Sequence, residues 1–297
     1  MAKRSTTTLL LGCYAVLVAT AVAGVWFGLL VVPFPWPLTF MLVLLPFGFS
    51  VLHASGSMGC RRGLFLMLLT VVVSLLAESV GVPTAAVFGP YGYTSVLGPR
   101  FLGLVPYIVP MTWFVLVYPS YVVAEWIVPA GWAGQRRRLS VAGLGATAVT
   151  AVDVALDPIM VEAGAWVWHV HGAFFGIPVR NYIGWWLTAF TVLYSYLCSC
   201  GIRSAQTSGR STSFARLATL SYTVFAFGAI GACLHMRLVH PALAGMLATA
   251  PWIIAGLQSS RGARTAVLHH ARPPERQESS FFASIGSKMP VFRCIRL

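Results

Sequence analysis

The 297-residue chain is 58% hydrophobic and only 9% charged, and its formal net charge is +13. Soluble domains carry about 25% charged residues, so 7 acidic side chains would leave a soluble protein of this length without a polar surface. The basic residues lie in the gaps between apolar runs, which argues against a nucleic-acid-binding protein and indicates a membrane protein.

Eight apolar stretches follow one another along the chain, and a transmembrane helix needs about 20 such residues. They cover residues 8–32, 38–55, 63–80, 105–127, 140–157, 183–201, 214–235 and 241–258. The first stretch is too long for a signal peptide and is interpreted as a retained span. The sequence therefore predicts an all-α, polytopic transmembrane helical bundle over residues 1–260. Residues 261–297 are basic and polar, and we expect them to form a disordered cytoplasmic tail.

Lysine and arginine residues predict the orientation of these spans, because they are enriched on the cytoplasmic side of membrane proteins. With a cytoplasmic N-terminus, all basic residues except Arg100, Arg180 and Arg237 fall on the cytoplasmic side. We therefore expect a multi-pass protein of the cell membrane with both termini in the cytoplasm.

Two segments differ from both spans and ordinary loops. Residues 81–104 and 158–182 are too polar and glycine-rich for membrane spans and too aromatic for simple connections. Both fall on the outer side. Irregular backbone at a membrane is tolerated where it lines a cavity, so these segments are the predicted location of a functional site.

Acidic residues within spans are costly and indicate function. The helical rise places Glu78 and Asp153 at similar depth, roughly 20–23 Å from the cytoplasmic side. Asp157 lies one turn beyond Asp153 on the same helix face. Two alternatives stay open: that Glu78 and Asp153 serve only to join helices through polar partners, and that Asp157 only marks a helix end before Pro158.

The other ionisable residues have simpler interpretations. Glu125 lies near the cytoplasmic end of its span, close to the arginines at 136–138, and we expect an interfacial ion pair there. Glu162 is expected at the mouth of the site. His169 and His171 have the spacing of an extended segment without an evident third ligand, so we expect structural or lipid-headgroup contacts and no metal site.

Aromatic residues crowd both outer segments. They form either an interfacial belt or a cavity lined by π faces, which stabilise cations. The first segment contains Phe88, Tyr91, Tyr93 and Phe101. The second segment and the residues just after it contain Trp166, Trp168, Phe174, Phe175, Tyr182, Trp185 and Trp186.

In and around these segments the sequence resembles the CruF-like carotenoid hydratases, a family of membrane-embedded carotenoid biosynthesis proteins. The first part of the resemblance is Ala77-Glu78, Phe88-Gly89-Pro90-Tyr91-Gly92-Tyr93, Leu97-Gly98, Val105-Pro106 and Trp113. The second part is Asp153, Leu156-Asp157-Pro158, Trp166-Val167-Trp168 and Phe175-Gly176-Ile177-Pro178 followed by Asn181, Gly184 and Trp185. The resemblance covers about residues 60–200. One departure is that Ala85 and Ala86 stand where a glycine-rich turn is expected.

The resemblance implies that water adds to the terminal isopropylidene double bond of an acyclic carotenoid end, giving a tertiary alcohol without any cofactor. Members of the family hydrate bisanhydrobacterioruberin or γ-carotene. The implied partners are an acyclic carotenoid of the lycopene, γ-carotene or bacterioruberin-precursor type, water, the lipid bilayer and other enzymes of the carotenoid pathway, and no nucleic acid.

This chemistry needs a proton donor, a site that tolerates a tertiary carbocation, and a base that takes a proton from water. The hypothesis assigns Asp153 or Glu78 as the acid and Asp157 as the residue that holds water. Candidate substrate-binding residues are Tyr91, Tyr93, Trp168, Asn181 and Trp185.

Two alternatives to a hydratase remain. A carotenoid end-group cyclase would use the same scaffold and a similar first step. A transporter or lipid-binding protein would use the carboxylates as a proton relay, although the sequence contains no inverted repeat of the kind found in many transporters.

Overall fold

The structure, a computed structural model, describes residues 2–30, 36–129, 131–200 and 212–270. In these ranges it contains eight α-helices, each long and apolar enough to cross a membrane. They are α1 (Ala2–Trp26), α2 (Trp36–Met58), α3 (Cys60–Thr84), α4 (Ile108–Ile127), α5 (Gly134–Glu162), α6 (Val179–Cys200), α7 (Thr212–His235) and α8 (Val239–His270). This confirms the predicted all-α transmembrane bundle.

Several helices extend beyond the apolar stretches from which they were predicted. α3 continues to Thr84, and α5 continues through Pro158 to Glu162. The two connecting segments are therefore residues 85–107 and 163–178, shorter than predicted. Hydropathy marks only the part of a helix at hydrocarbon depth, whereas the backbone hydrogen bonds continue into the polar boundary.

One departure from the family pattern, Ala85, lies at the end of α3. Ala85 caps this helix with φ 58° and ψ 11°, the left-handed conformation, and its N–H donates to the carbonyl of Gly81 at 2.8 Å. Glycine is the usual residue at such a cap because it has no Cβ. The resemblance predicts glycine near Ala85, and the left-handed backbone at Ala85 favours glycine as well.

α4 is the central helix of the bundle. Of the residues in its membrane-crossing part, 89% are buried inside the protein, compared with 28% for α1, α2, α3 and α8. It packs against α2, α3, α5 and α7, while α1 lies at the periphery against α2 and α7. The tightest helix contacts depend on small residues: a Cβ on Gly145 of α5 would lie 2.5 Å from the Leu193 side chain of α6.

The two connecting segments meet in a small antiparallel ribbon that covers one end of the bundle. Strand β1 (Tyr91–Tyr93) pairs with strand β4 (Trp166–Trp168). Between them in sequence, β2 (Arg100–Phe101) pairs with β3 (Val105–Pro106). We call the covered end of the bundle the roofed end. Arg180 at the start of α6 holds the first segment in place by donating to the carbonyl of Ala86 at 2.9 Å.

The opposite end contains the ion pair predicted for Glu125. Its partner is Arg137, at 3.4 Å, and both side chains are buried inside the protein. The Arg137 guanidinium also donates to the carbonyls of Val128 and Pro129 at 3.2 and 2.9 Å. These carbonyls lie just beyond the C-terminus of α4, where backbone acceptors lack helical partners. Arg137 therefore fixes the link between α4 and α5.

The predicted tail lies largely outside the described residues. α8 continues to His270, past residue 260, and residues 271–297 are not described.

Candidate active site

The β1–β4 ribbon presents four aromatic side chains on one face. Tyr91 lies opposite Trp168, and Tyr93 lies opposite Trp166. Alternate residues of a strand point to the same side of a sheet, and directly opposed residues share that side. The four rings therefore point together into the bundle, while Val167 between the two indoles is half exposed on the other face.

Beneath this face lies a cavity of about 260 Å³. Its walls come from α1, α2, α3, α4, α5, α6, α7 and the ribbon. Most of the lining is apolar, and no lysine or arginine occurs among the described residues that line it. Two carboxyl groups, those of Glu78 and Asp157, open into this cavity.

Glu78 is buried near the roofed end of α3 and accepts three hydrogen bonds. The hydroxyls of Tyr91 and Tyr93 both donate to its Oε2, the second at 2.8 Å. Trp113 of α4 donates from Nε1 to Oε1 at 3.2 Å. Two of the three partners of Glu78 are therefore phenols supplied by β1.

Asp157 is buried on α5 and also has three partners. Its Oδ1 accepts from the indole Nε1 atoms of Trp166 and Trp168 at 2.7 and 3.3 Å. Its Oδ2 accepts from Nδ2 of Asn181 at 2.6 Å. The partners of Asp157 are therefore two indoles supplied by β4 and one amide supplied by α6.

Asp153 occupies a different position. It is fully buried one turn from Asp157, and it is not among the residues that line the cavity. Nδ2 of Asn181 donates to its Oδ2 at 2.9 Å, so one amide group contacts both aspartates. Its Oδ1 has no hydrogen-bond partner among the described residues. Asp153 therefore lies behind the Asn181 amide, away from any molecule in the cavity.

The two phenols stay protonated under ordinary conditions. Burial raises the pKa of the Tyr91 and Tyr93 hydroxyls well above that of a free tyrosine. Loss of hydration disfavours the anionic form of a phenol. Each hydroxyl therefore keeps a proton to share with Glu78.

The structure brings together Glu78, Asp157 and all five predicted substrate-binding residues around one cavity. The latter are Tyr91, Tyr93, Trp168, Asn181 and Trp185. Glu162 is exposed at the end of α5 and does not line the cavity.

Two residues that donate hydrogen bonds to the carboxyl groups of the cavity were not in the predicted site. Trp113 stacks on Trp185 with ring centroids 4.3 Å apart and an interplanar angle of 24°. Trp166, like Trp168, donates a hydrogen bond to Asp157. The spacing of Trp166 and Trp168 was a usable signal, because residues two apart in a strand share a face. Trp113 belongs to the family resemblance, but its sequence neighbours did not indicate that it contacts Glu78, because this contact depends on how α4 packs against α3.

The fold and cavity define a polytopic membrane protein with two carboxyl groups in an aromatic-lined cavity at one end of its bundle. The chain belongs to the carotenoid biosynthesis protein family, whose sequence model matches residues 38–251. It is 36% identical over 130 residues to bisanhydrobacterioruberin hydratase from Haloarcula japonica. That alignment covers 43% of this chain and 42% of the relative, which is less than half of either protein. Among solved structures, none gives a significant match.

Proposed function

We propose that the protein is a carotenoid hydratase that adds water to the terminal isopropylidene double bond of an acyclic carotenoid end. The observation that carries the proposal is the pair of carboxyl groups, Glu78 and Asp157, which line one apolar cavity but have different kinds of hydrogen-bond partner. Family membership and the partial similarity to a hydratase support the same reaction.

The partners suggest which carboxyl group is the acid. A phenol both donates and accepts, so Glu78 can carry a proton on Oε2 and keep its bonds to Tyr91 and Tyr93. Indole and amide N–H groups only donate. Asp157 receives three such bonds, which suit an unprotonated carboxylate. We therefore assign Glu78 as the acid and Asp157 as the base, and Asp153 becomes a supporting residue.

The reaction then has two steps. Glu78 protonates the less substituted alkene carbon, which leaves a tertiary carbocation on the neighbouring carbon. A water molecule held by Asp157 adds its oxygen to that cation, and Asp157 takes one proton from it. The net change is one water added and no electron transferred. The proton on Asp157 returns to Glu78 before the next turnover.

The surrounding aromatic rings suit the carbocation. Their π faces attract positive charge, and Trp113, Trp185, Tyr93 and Trp168 all line the cavity. No lysine or arginine side chain among the described lining residues opposes a cationic intermediate. The apolar walls also limit water near the cation to what the polar groups hold.

We further propose that the roofed end faces the outer side of the cell membrane and that both termini are cytoplasmic. The distribution of basic residues along the sequence supports this orientation. A carotenoid would then lie with its chain in hydrocarbon and its reacting end near the roofed end, where water is close by. The new hydroxyl group would form near the lipid headgroups, which favours release.

The test is expression in a host that accumulates lycopene, followed by pigment extraction and mass analysis. A product heavier by one water, absent with the Glu78→Gln variant, supports the hydratase. A product of unchanged mass with a shifted absorption spectrum indicates a cyclase and contradicts the proposal. Unchanged pigment in hosts supplying lycopene, γ-carotene or a bacterioruberin precursor also contradicts it, and leaves a transporter or lipid-binding protein.

A further inference from the structure

Beyond the two carboxyl groups, the cavity is also lined by residues of α1, α2 and α7. We call this mostly apolar part of the cavity the arm. On α1 the arm is lined by Tyr14, Val18, Ala21, Val22, Val25 and Trp26. The α7 side is lined largely by small residues, among them Gly228 and Gly231. The arm therefore joins the site of the proposed chemistry to the peripheral helix of the bundle.

Two glycine residues of α7 let α1 pack directly beside the arm. A Cβ on Gly228 would lie 3.0 Å from Cγ1 of Val18, and one on Gly231 would lie 3.5 Å from Cγ1 of Val22. The two helices are therefore in contact at these positions, and the arm runs along this contact. Its lining from α1, α2 and α7 is mostly apolar, which suits a slender apolar chain.

The arm is closed near the middle of α1. Tyr14 is buried and packs in an apolar cluster with Leu11 and Phe49, and Phe225 of α7 packs against this cluster. From Tyr14 to Trp26 the helical rise gives a slot about 18 Å long. The hydrocarbon core of a membrane is about 30 Å thick, so the slot spans part of it and holds part of a long chain.

We propose that the arm binds the linear polyene chain next to the reacting end, and that the α1 side chains facing it determine which chains the site accepts. This inference rests on the proposed function, since it concerns the substrate of the same site. α1 lies outside residues 38–251, the range that the family model matches. The reacting groups thus come from the matched part of the chain, whereas one wall of the arm comes from outside it.

Binding can be measured without catalysis. We would purify the Glu78→Gln variant from a lycopene-accumulating host and quantify the carotenoid that remains bound. In this background, Ala21→Trp fills the arm, because Ala21 is buried and lines it. Val16→Trp is the matched control, since Val16 is 63% exposed on the same helix. We expect Ala21→Trp to lower bound carotenoid about tenfold or more and Val16→Trp to retain it.

A smaller variant covers the case in which Ala21→Trp does not fold. Ala21→Leu adds less volume, and we expect it to reduce binding of lycopene in part while the protein stays monodisperse. Equal pigment retention by the folded Ala21 variants and by Val16→Trp would overturn the inference.

The same Ala21 and Val16 substitutions, made also in the protein that keeps Glu78, separate this inference from the proposed function. Pigment binding that depends on Ala21, in a protein whose wild-type form makes no hydrated product, would support the arm and contradict the hydratase. Hydration that proceeds at the wild-type rate in the folded Ala21→Trp variant would support the hydratase and contradict the arm.

Discussion

Tyr91 and Trp168 lie opposite each other in the β1–β4 ribbon, and each donates a hydrogen bond to a different carboxyl group of the cavity. Tyr91 contacts Glu78 on α3, and Trp168 contacts Asp157 on α5. The neighbouring pair, Tyr93 and Trp166, repeats the arrangement. A ribbon of six residues therefore fixes both carboxyl groups relative to each other, although these belong to different helices.

Glu78→Gln is expected to abolish hydration with little effect on folding. The amide cannot deliver a proton to the alkene, and general acid catalysis contributes about 100-fold or more to rate. Glutamine keeps the volume and can still accept from Trp113 while its NH₂ donates to the phenols, which also accept. The measurement is hydrated carotenoid per mole of protein, with thermal unfolding in detergent as the control for folding. Product at the wild-type level would exclude Glu78 as the acid.

Asp157→Asn is expected to lower stability as well as activity. All three partners of Asp157 are N–H donors, so the NH₂ group of asparagine must face at least one of them. An unsatisfied buried polar group costs about 1–3 kcal/mol. The free energy of unfolding, measured with denaturant in detergent, should fall by about that amount. Unchanged stability would mean that the Asp157 partners differ from those described above.

Asp153→Asn is the matched comparison for that variant. Oδ1 of Asp153 has no partner among the described residues, so the new NH₂ can occupy that position while the oxygen accepts from Asn181. We expect a smaller loss of stability than with Asp157→Asn and partial retention of hydration, because Asp153 does not line the cavity. Complete loss of product in a stable Asp153→Asn protein would instead make Asp153 the acid.

Trp166→Phe tests the ribbon. The change removes the 2.7 Å hydrogen bond to Asp157 but leaves an aromatic ring on the cavity face. A hydrogen bond to a charged group contributes about 1.5–3 kcal/mol, and its loss should slow hydration by about tenfold or more if Asp157 is the base. Val167→Thr changes the exposed face of the same strand and should leave the rate unchanged. Equal rates for both variants would show that the ribbon does not act through Asp157.

Ala85→Gly is expected to stabilise the protein. A residue with a Cβ pays roughly 1–2 kcal/mol in the left-handed conformation, and Ala85 has φ 58°. Part of the gain is offset by the greater freedom of glycine in the unfolded chain, which leaves about 1 kcal/mol. Thermal unfolding in detergent measures it. Ala86→Gly, at the next residue, which is not among those with positive φ, is the control and should not stabilise.

Arg137→Met is expected to destabilise the protein strongly. It leaves Glu125 buried without its cationic partner and removes the donors to Val128 and Pro129. Breaking a buried ion pair from one side costs about 3–5 kcal/mol. The double variant Arg137→Met with Glu125→Gln should recover part of that loss, as measured by unfolding. Arg136→Met, which removes only a stacking contact with Trp132, is the control.

The sequence predicted the bundle because a helix that crosses a membrane needs a long run of apolar residues. Eight apolar stretches required eight helices, and the buried carboxylates were recognisable because a charge in hydrocarbon is costly. The pairing of Glu125 with a nearby arginine was also predictable from position along the chain. Its burial was not, because that depends on α5 covering the end of α4.

What the sequence by itself determined is the helical membrane fold, the family resemblance and part of the set of residues around the site. Only the tertiary structure decided their arrangement: Asp153 lies behind Asn181, Trp113 reaches Glu78 from a third helix, and the ribbon gives phenols to one carboxyl group and indoles to the other. The physical reason is that hydropathy depends on each residue and its sequence neighbours. Hydrogen-bond partners and cavity walls depend on which helices and strands pack together.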